Sequence, residues 1–279
     1  MTVQLTTSDL LARGTALLAP ILERPSLDAA ILLAFSLGVP PVRLKSHPEA
    51  PRTSADQELY LALIERRAQG EPLAYITGVR EFWTLELRVT PDVLVPRPET
   101  ELLVERALVL GPAPAARVLD LGTGSGAIAL ALAAERPAWE ILATDASAAA
   151  LAVARDNARR LRLANVGFHC GSWFAGLPEQ RFDLVLSNPP YVDARDPALL
   201  ALKDEPRQAL TPGADALADL RTIIRAAPEH LQPGSWLILE HGASQAGAVA
   251  HELVARGFGS VRSHRDPGGH ERVTEGQWA

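Results

Sequence analysis

Between Ser8 and Gln69 apolar residues recur at three- and four-residue spacing. Leu10, Leu11, Leu17, Leu18 and Ile21 mark one stripe, and Ser26-Leu27-Asp28 opens another through Ala30, Leu33 and Leu37 to Gly38. A further stripe over residues 54–69 carries Leu59, Leu63 and Ile64 and ends in Arg66-Arg67 ahead of Gly70. This spacing predicts a helix for each stripe, packed as a small bundle with loops at Pro40-Pro41 and across Pro48 to Pro51. The period then changes. Leu85, Leu87 and Val89 alternate with Glu86 and Arg88, and Thr90-Pro91-Asp92 leads into Val93-Leu94-Val95, a pattern that predicts a β-hairpin linking two halves. A helical run over residues 101–110 follows, and from Arg117 strand and helix alternate. Strands are expected at 117–121, 141–144, 166–170, 182–186, 236–240 and 260–264, with Val273-Thr274 a last one; helices are expected at 127–135, 148–160, 217–227 and 245–256. The alternation predicts an α/β fold, a doubly wound, mostly parallel sheet. The expected organisation is a helical domain over residues 1–79, the hairpin over 80–96 and the α/β domain over 97–279.

Composition narrows the setting. The chain has 279 residues, 47% of them hydrophobic, enough for a core that folds without staples. Cys170 is the one cysteine, which excludes an internal disulfide and a cysteine metal cluster and favours a reducing compartment. The opening Met1-Thr2-Val3-Gln4 shows no basic segment followed by an apolar core, and no apolar run is long enough for a membrane span. A cytoplasmic location is therefore expected. A net charge of −6 and a pI of 5.7 argue against a broad electrostatic grip on nucleic acid.

The chemistry concentrates in two segments. Asp120-Leu121-Gly122-Thr123-Gly124-Ser125-Gly126 runs from a predicted strand into a predicted helix. Glycines there allow close approach of a ligand to the backbone, and the helix start offers unpaired N–H groups. Asp145, at the end of the next strand, suits the two ribose hydroxyls of an adenosine. Nicotinamide and S-adenosylmethionine sites share both features, so these residues leave the cofactor open. Trp173 is a candidate to pack against an adenine ring.

The second segment is Ser187-Asn188-Pro189-Pro190-Tyr191, immediately after the apolar run Phe182-Asp183-Leu184-Val185-Leu186. Two prolines remove two backbone donors and fix two φ angles, which leaves a rigid cluster of acceptors beside the Asn188 side-chain oxygen. Such a cluster suits a planar NH2 group. In a doubly wound sheet this strand end and the glycine turn are expected to face each other at the switch point. A cofactor on one lip and a holder of NH2 on the other fit methyl transfer to an amide or amine better than hydride transfer. The long proline-bearing connection over residues 193–214 is placed to cover a substrate. The histidines, including His241 and His270, belong to no motif.

At these residues the chain resembles the protein-(glutamine-N5) methyltransferases of class I peptide-chain release factors, the PrmC or HemK type. The likeness spans the helical domain to the C-terminus. It is most specific in Pro96-Arg97-Pro98-Glu99-Thr100-Glu101, the Asp120 to Gly126 turn and the Asn-Pro-Pro-Tyr segment, with Glu205-Pro206, Ala209-Leu210, Asp266, Gly269 and Arg272 as further matches. The resemblance implies a Rossmann-like, class I S-adenosylmethionine-dependent fold. The cofactor would lie against Gly122, Thr123, Gly124, Ser125, Gly126, Asp145, Trp173 and Asn188. It implies that Asn188, Pro189, Pro190 and Tyr191 hold the glutamine of a release factor's Gly-Gly-Gln loop; from its position alone, the helical domain is expected to dock that protein. Asn188 Oδ1 and the Pro189 carbonyl are expected to accept the two amide N–H bonds, with Tyr191 walling the pocket. Direct nucleic-acid and membrane partners are not expected. The alternatives are a DNA adenine-N6 methyltransferase, since an exocyclic amine presents the same geometry, and a non-catalytic S-adenosylmethionine-binding module. A nicotinamide oxidoreductase lacks an acid or base for a hydride site.

Overall fold

Helix α1 (Thr7–Leu18) starts where Thr6 and Asp9 close a capping box, each satisfying the other's backbone N–H. The computed structural model describes residues 5–111 and 114–279, so the Met1-Thr2-Val3-Gln4 opening lies outside the described residues. After α1 come α2 (Pro25–Ser36), α3 (Pro41–Ser46), α4 (Ser54–Ala68), which repeats the capping box with Thr53 and Asp56, and α5 (Leu73–Thr77). These helices form one compact unit, Met1–Gly78. Its core is Leu10, Leu18, Leu32, Leu33, Tyr60 and Ile64, all essentially inaccessible. The short helices α3 and α5 add to the expected bundle; both begin directly after or on a proline, where the missing N–H costs a helix nothing.

The second compact unit is Val79–Ala279. It opens with a hairpin of β1 (Val79–Phe82) and β2 (Leu85–Arg88), paired antiparallel from Val79↔Arg88 to Phe82↔Leu85. The hairpin therefore turns at Trp83-Thr84, upstream of the Thr90-Pro91-Asp92 turn that the sequence suggested. Val93-Leu94-Val95 is not a strand. The alternating 85–89 stretch pairs backwards because Trp83 adopts a positive φ of 57° and its N–H is taken by Glu101 Oε1 at 2.8 Å, contacts that no local pattern announces.

After α6 (Glu101–Leu110) the chain alternates as predicted: β3 (Arg117–Leu121), α7 (Ala127–Glu135), β4 (Glu140–Asp145), α8 (Ala148–Leu161), β5 (Val166–Cys170), β6 (Phe182–Ser187), α9 (Ala218–Ala226), β7 (Leu231–Glu240), α10 (Ala246–Arg256), β8 (Phe258–Arg265) and β9 (Glu271–Trp278). The strands form a 7-stranded sheet in the order β5-β4-β3-β6-β7-β9-β8. All neighbours through β7 are parallel, and β9 runs antiparallel to both β7 and β8. Apolar side chains of the central strands are buried on both faces, which is why β3 and β6 are rich in Val and Leu at successive positions, broken only by Asp120 and Asp183 in their interiors. The order reverses between β3 and β6, where Leu121 pairs with Ser187. That register brings the glycine turn and the Asn-Pro-Pro-Tyr segment to adjacent strand ends.

Buried polar groups lock the edges of this unit. Glu275 on β9 receives both Nε and Nη2 of Arg106 on α6, at 2.9 and 3.0 Å. Asn157 on α8 accepts the Arg88 N–H at 2.7 Å and donates to the Arg88 and Ser125 carbonyls, both at 2.9 Å. One amide thus ties the hairpin to the glycine turn.

In the helical unit, a Cβ built on Gly14 would sit 1.9 Å from the Tyr60 hydroxyl oxygen. Gly14→Ala forces Tyr60 out of a fully packed site, and it is expected to destabilise the unit by about 1–3 kcal/mol, read as a lower melting temperature in thermal unfolding.

Candidate active site

The glycine turn leaves β3 at Leu121 with Gly122, Gly124 and Gly126 all at positive φ, 72°, 56° and 87°. Its residues alternate in direction. Gly122 and Gly124 line a cavity of about 240 Å³, whereas Thr123, Ser125 and Gly126 are buried behind it. Thr123 donates its hydroxyl to Asp120 Oδ2 at 2.6 Å and its N–H to the Thr144 carbonyl at 2.8 Å. A Cβ on Gly126 would approach Leu130 Cδ1 to 2.9 Å, so the absence of a side chain there lets α7 start close against its neighbours. A Cβ on Gly124 would meet no protein atom within 4 Å. It would project into the space a ligand would use.

Asp145 borders the same cavity. The N–H groups of Gly124 and Ser147 reach its Oδ2 and Oδ1 at 2.9 and 2.8 Å, which fixes the carboxylate's orientation while each oxygen retains a second lone pair. Burial raises its pKa, and these two N–H bonds oppose the rise. Asp120, wholly inaccessible, is pushed up to about 7 by burial; it supports the turn from beneath and does not line the cavity.

Trp173 lines the cavity with its ring beside Gly122, at a positive φ of 51°, a conformation that costs a non-glycine residue of order 1 kcal/mol and is typical of sites where geometry is imposed. Asp219 at the start of α9 also borders the cavity; burial raises its pKa, and the neighbouring Trp173 side chain opposes the rise. The long connection after β6 contributes Pro206, Gln208 and Ala209 to the rim. It is not structureless: short 3-10 turns at Pro197–Leu200 and Arg207–Ala209 order it. Glu205 anchors it, accepting the Val95 N–H at 3.0 Å and pairing with Arg97.

Asn188 and Pro190 complete the lining. Asn188 Nδ2 donates to Thr100 Oγ1 at 3.1 Å, so the amide oxygen is the group left to face the cavity. Pro189 is buried, and among the described residues no N–H is bonded to its carbonyl. Tyr191 stands back from the cavity. Its hydroxyl donates to Glu240 Oε1 at 3.2 Å and its carbonyl accepts from Gln245 Nε2 at 3.1 Å. Glu240, 1% exposed, is pushed up to about 7 by burial, against the pull of the neighbouring Thr100 and Tyr191 side chains and the charge of Arg272.

Of the residues proposed from sequence, Gly122, Gly124, Asp145, Trp173, Asn188 and Pro190 thus meet at one cavity, while Thr123, Ser125, Gly126, Pro189 and Tyr191 form its support. Sequence reasoning missed Ser147, Asp219, Thr100 as a partner of Asn188, and Glu240. It also missed Asp92, Val93 and Leu94, which line the cavity; these and Thr100 lay in segments already singled out. His241 is a packed core residue: it is inaccessible and its Nε2 lies 2.7 Å from Thr274 Oγ1.

A glycine turn with open space above Gly124, a carboxylate held by backbone N–H groups at the end of the next strand, and an aromatic side chain make a nucleoside-cofactor site, and the family matches decide its class: an S-adenosylmethionine-dependent methyltransferase of the Rossmann-like kind. The fold agrees. A methyltransferase from Pyrococcus furiosus superposes with a TM-score of 0.55 at 19% identity, covering 76% of this chain and 96% of that one. A T. thermophilus 16S rRNA methyltransferase in complex with AdoMet and guanosine gives 0.53 at 21% identity, over 72% of this chain and 50% of that one. In sequence, residues 9–78 match the family described as PrmC N-terminal domain and residues 98–215 the methyltransferase small domain. Release factor glutamine methyltransferases of Pseudomonas aeruginosa and Yersinia pestis are 49% and 50% identical, covering 91% and 92% of this chain and 92% and 94% of their own. The chain belongs to the release factor glutamine methyltransferase family.

Asp145→Ala removes an oriented acceptor from the cavity and is expected to weaken S-adenosylmethionine binding by about 10- to 100-fold. Isothermal titration calorimetry measures this directly, with circular dichroism showing that the fold persists.

Proposed function

We infer that the chain transfers a methyl group from S-adenosylmethionine to the side-chain amide nitrogen (N5) of the glutamine in the Gly-Gly-Gln motif of peptide-chain release factors. The observation that supports the assignment of the chemistry most directly is the tether of Asn188 Nδ2 to Thr100. It leaves Oδ1, with the Pro189 carbonyl, to accept the two N–H bonds of an incoming primary amide. An amide nitrogen is a poor nucleophile because its lone pair is delocalised into the carbonyl. Two acceptors in fixed positions turn that lone pair out of conjugation and aim it. Alignment of this kind supplies up to about 7–11 kcal/mol of a barrier, so no general base is required before the N–C bond forms; the surplus proton leaves the nitrogen afterwards.

When bound, the cofactor supplies a sulfonium methyl, an electrophile that needs no activation. Gly122, Gly124, Asp145 and Trp173 would hold it, and Asn188 stands at the boundary between the cofactor and acceptor sides. Pro206, Gln208 and Ala209 roof the site and exclude water, with Glu205 fixing the roof through Val95 and Arg97. The helical unit docks the protein substrate, and the second unit, from the hairpin onward, carries the chemistry, with Asp92, Val93 and Leu94 among the residues lining the cavity. The reaction belongs in the cytoplasm, where release factors work. Among the described residues no helix is long and apolar enough to cross a membrane.

Asn188→Ala is expected to lower kcat by about 100-fold or more while calorimetry shows a much smaller change in cofactor affinity. The assay incubates the enzyme with labelled cofactor, a release factor and a DNA duplex and locates the label by mass spectrometry. Label on the Gly-Gly-Gln glutamine is the expected outcome; label on adenine overturns the assignment.

A further inference from the structure

We propose that Gln245 is a positioning residue that holds the Asn-Pro-Pro-Tyr segment from its C-terminal side and so fixes where the acceptor oxygens of Asn188 and Pro189 stand. The inference rests on the reading of that segment as the holder of the substrate amide.

Pro189 and Pro190 carry no N–H, so the middle of the segment has no backbone donor with which to anchor itself. It can be held only from its two ends or through its carbonyls. Upstream the hold is direct: the Ser187 hydroxyl donates to the Leu121 carbonyl at 2.7 Å, and Asn188 Nδ2 donates to Thr100 Oγ1 at 3.1 Å. Downstream it falls to Tyr191, whose carbonyl accepts from Gln245 Nε2 at 3.1 Å. The next N–H, that of Val192, goes to the Leu210 carbonyl in the roof connection at 2.9 Å.

The partners of Gln245 decide which end of its amide faces Tyr191. Its Oε1 accepts the Gly242 N–H at 2.8 Å. A backbone N–H only donates and a backbone carbonyl only accepts, so turning the amide over would set donor against donor at Gly242 and acceptor against acceptor at Tyr191. The Gly242 end is itself firm: the Gln245 N–H returns to the Gly242 carbonyl at 2.9 Å, and His241 before it is inaccessible. A Cβ on Gly242 would come within 3.1 Å of Gln245 Oε1, so the glycine leaves room for the bond. One side chain thus transfers the position of the β7 end to the end of the acceptor segment, and the two fixed proline φ angles carry it back to Pro189.

The start of α10 gives Gln245 no task of its own. It is the N-cap residue of that helix, a position that favours Ser, Thr, Asp or Asn, whose short side chains bond the N–H groups of the first turn. Gln245 makes no such bond. The helix forgoes a cap, and the side chain reaches across to Tyr191 instead. A residue kept for the stability of α10 would do the opposite.

The test uses the full chain with a release factor as methyl acceptor and three variants: Gln245→Glu, Gln245→Ser and Asn188→Ala. Gln245→Glu keeps the length and the acceptor for Gly242 but loses the donor, so a carboxylate oxygen faces the Tyr191 carbonyl. Gln245→Ser is too short to reach Tyr191 and is a better cap for α10. Both are expected to lower kcat by about 10- to 100-fold, with cofactor Kd near that of the parent. The melting temperature of Gln245→Ser equals or exceeds the parental one, a loss of activity without loss of stability that a merely structural role would not give. Parental kcat in either Gln245 variant, alongside an impaired Asn188→Ala, overturns this inference and leaves the reading of Asn188 intact. Parental kcat in Asn188→Ala overturns both. A loss of cofactor affinity matching the loss of kcat, or a lowered melting temperature in Gln245→Ser, reduces Gln245 to a structural residue and also overturns it. Should Gln245→Glu not fold, Gln245→Ser decides by itself.

Discussion

The parallel pairing of β3 with β6 is the constraint on which the active site depends. Leu121 lies opposite Ser187, and the Ser187 hydroxyl donates to the Leu121 carbonyl at 2.7 Å, closing the last rung where the strands part. Beyond that rung one chain enters the glycine turn and the other the Asn-Pro-Pro-Tyr segment. Because the connections leave to opposite faces at this point, a crevice opens outside the strand ends. A shift of one residue in this register would send the side chains of one strand to the opposite packed face. The apolar residues flanking the pair, buried on both faces, make such a shift prohibitive.

The site divides its labour between what touches the cavity and what holds those groups still. Gly122 and Gly124 face the opening, while Thr123 and Ser125 between them face inward and bind the turn to the sheet and to Asn157. Asn188 and Pro190 face the opening, while Tyr191 reaches back to Glu240. Alternation along an irregular segment thus achieves what alternation along a strand does: one side for chemistry and the other for anchorage. The two carboxyl groups pushed up to about 7, Asp120 and Glu240, lie behind the cavity rather than in it. Methyl transfer from a sulfonium needs alignment more than proton transfer, and their burial serves alignment.

The roof follows the same economy. The connection between β6 and α9 is long for a compact fold, yet Glu205 links it to Val95 and Arg97 in the segment that also carries Thr100. One short stretch, Pro96 to Thr100, therefore touches both the cover of the site and its acceptor asparagine. The prolines at 96 and 98 fix the local backbone angles and make this double contact reproducible.

Much of this was legible in the chain itself. The glycine turn, the acid at the end of the next strand and the double proline after Asn188 are local signals, because the turn geometry, the helix start and the fixed φ angles are set by neighbours in sequence. The strands and helices from β3 onward follow from apolar periodicity, which depends only on which faces are buried. What the sequence did not reveal depends on residues far apart. The partner of the 85–88 strand was misjudged because pairing is decided by contacts such as Glu101 with the Trp83 N–H, not by the alternation pattern that either choice satisfies. Asn157, Asp219 and Glu240 are single polar residues on ordinary helices and strands, with no spacing to mark them. Their roles arise only when folding removes water from around them and leaves each with a few possible partners, so that tertiary structure, not local preference, decides what they do.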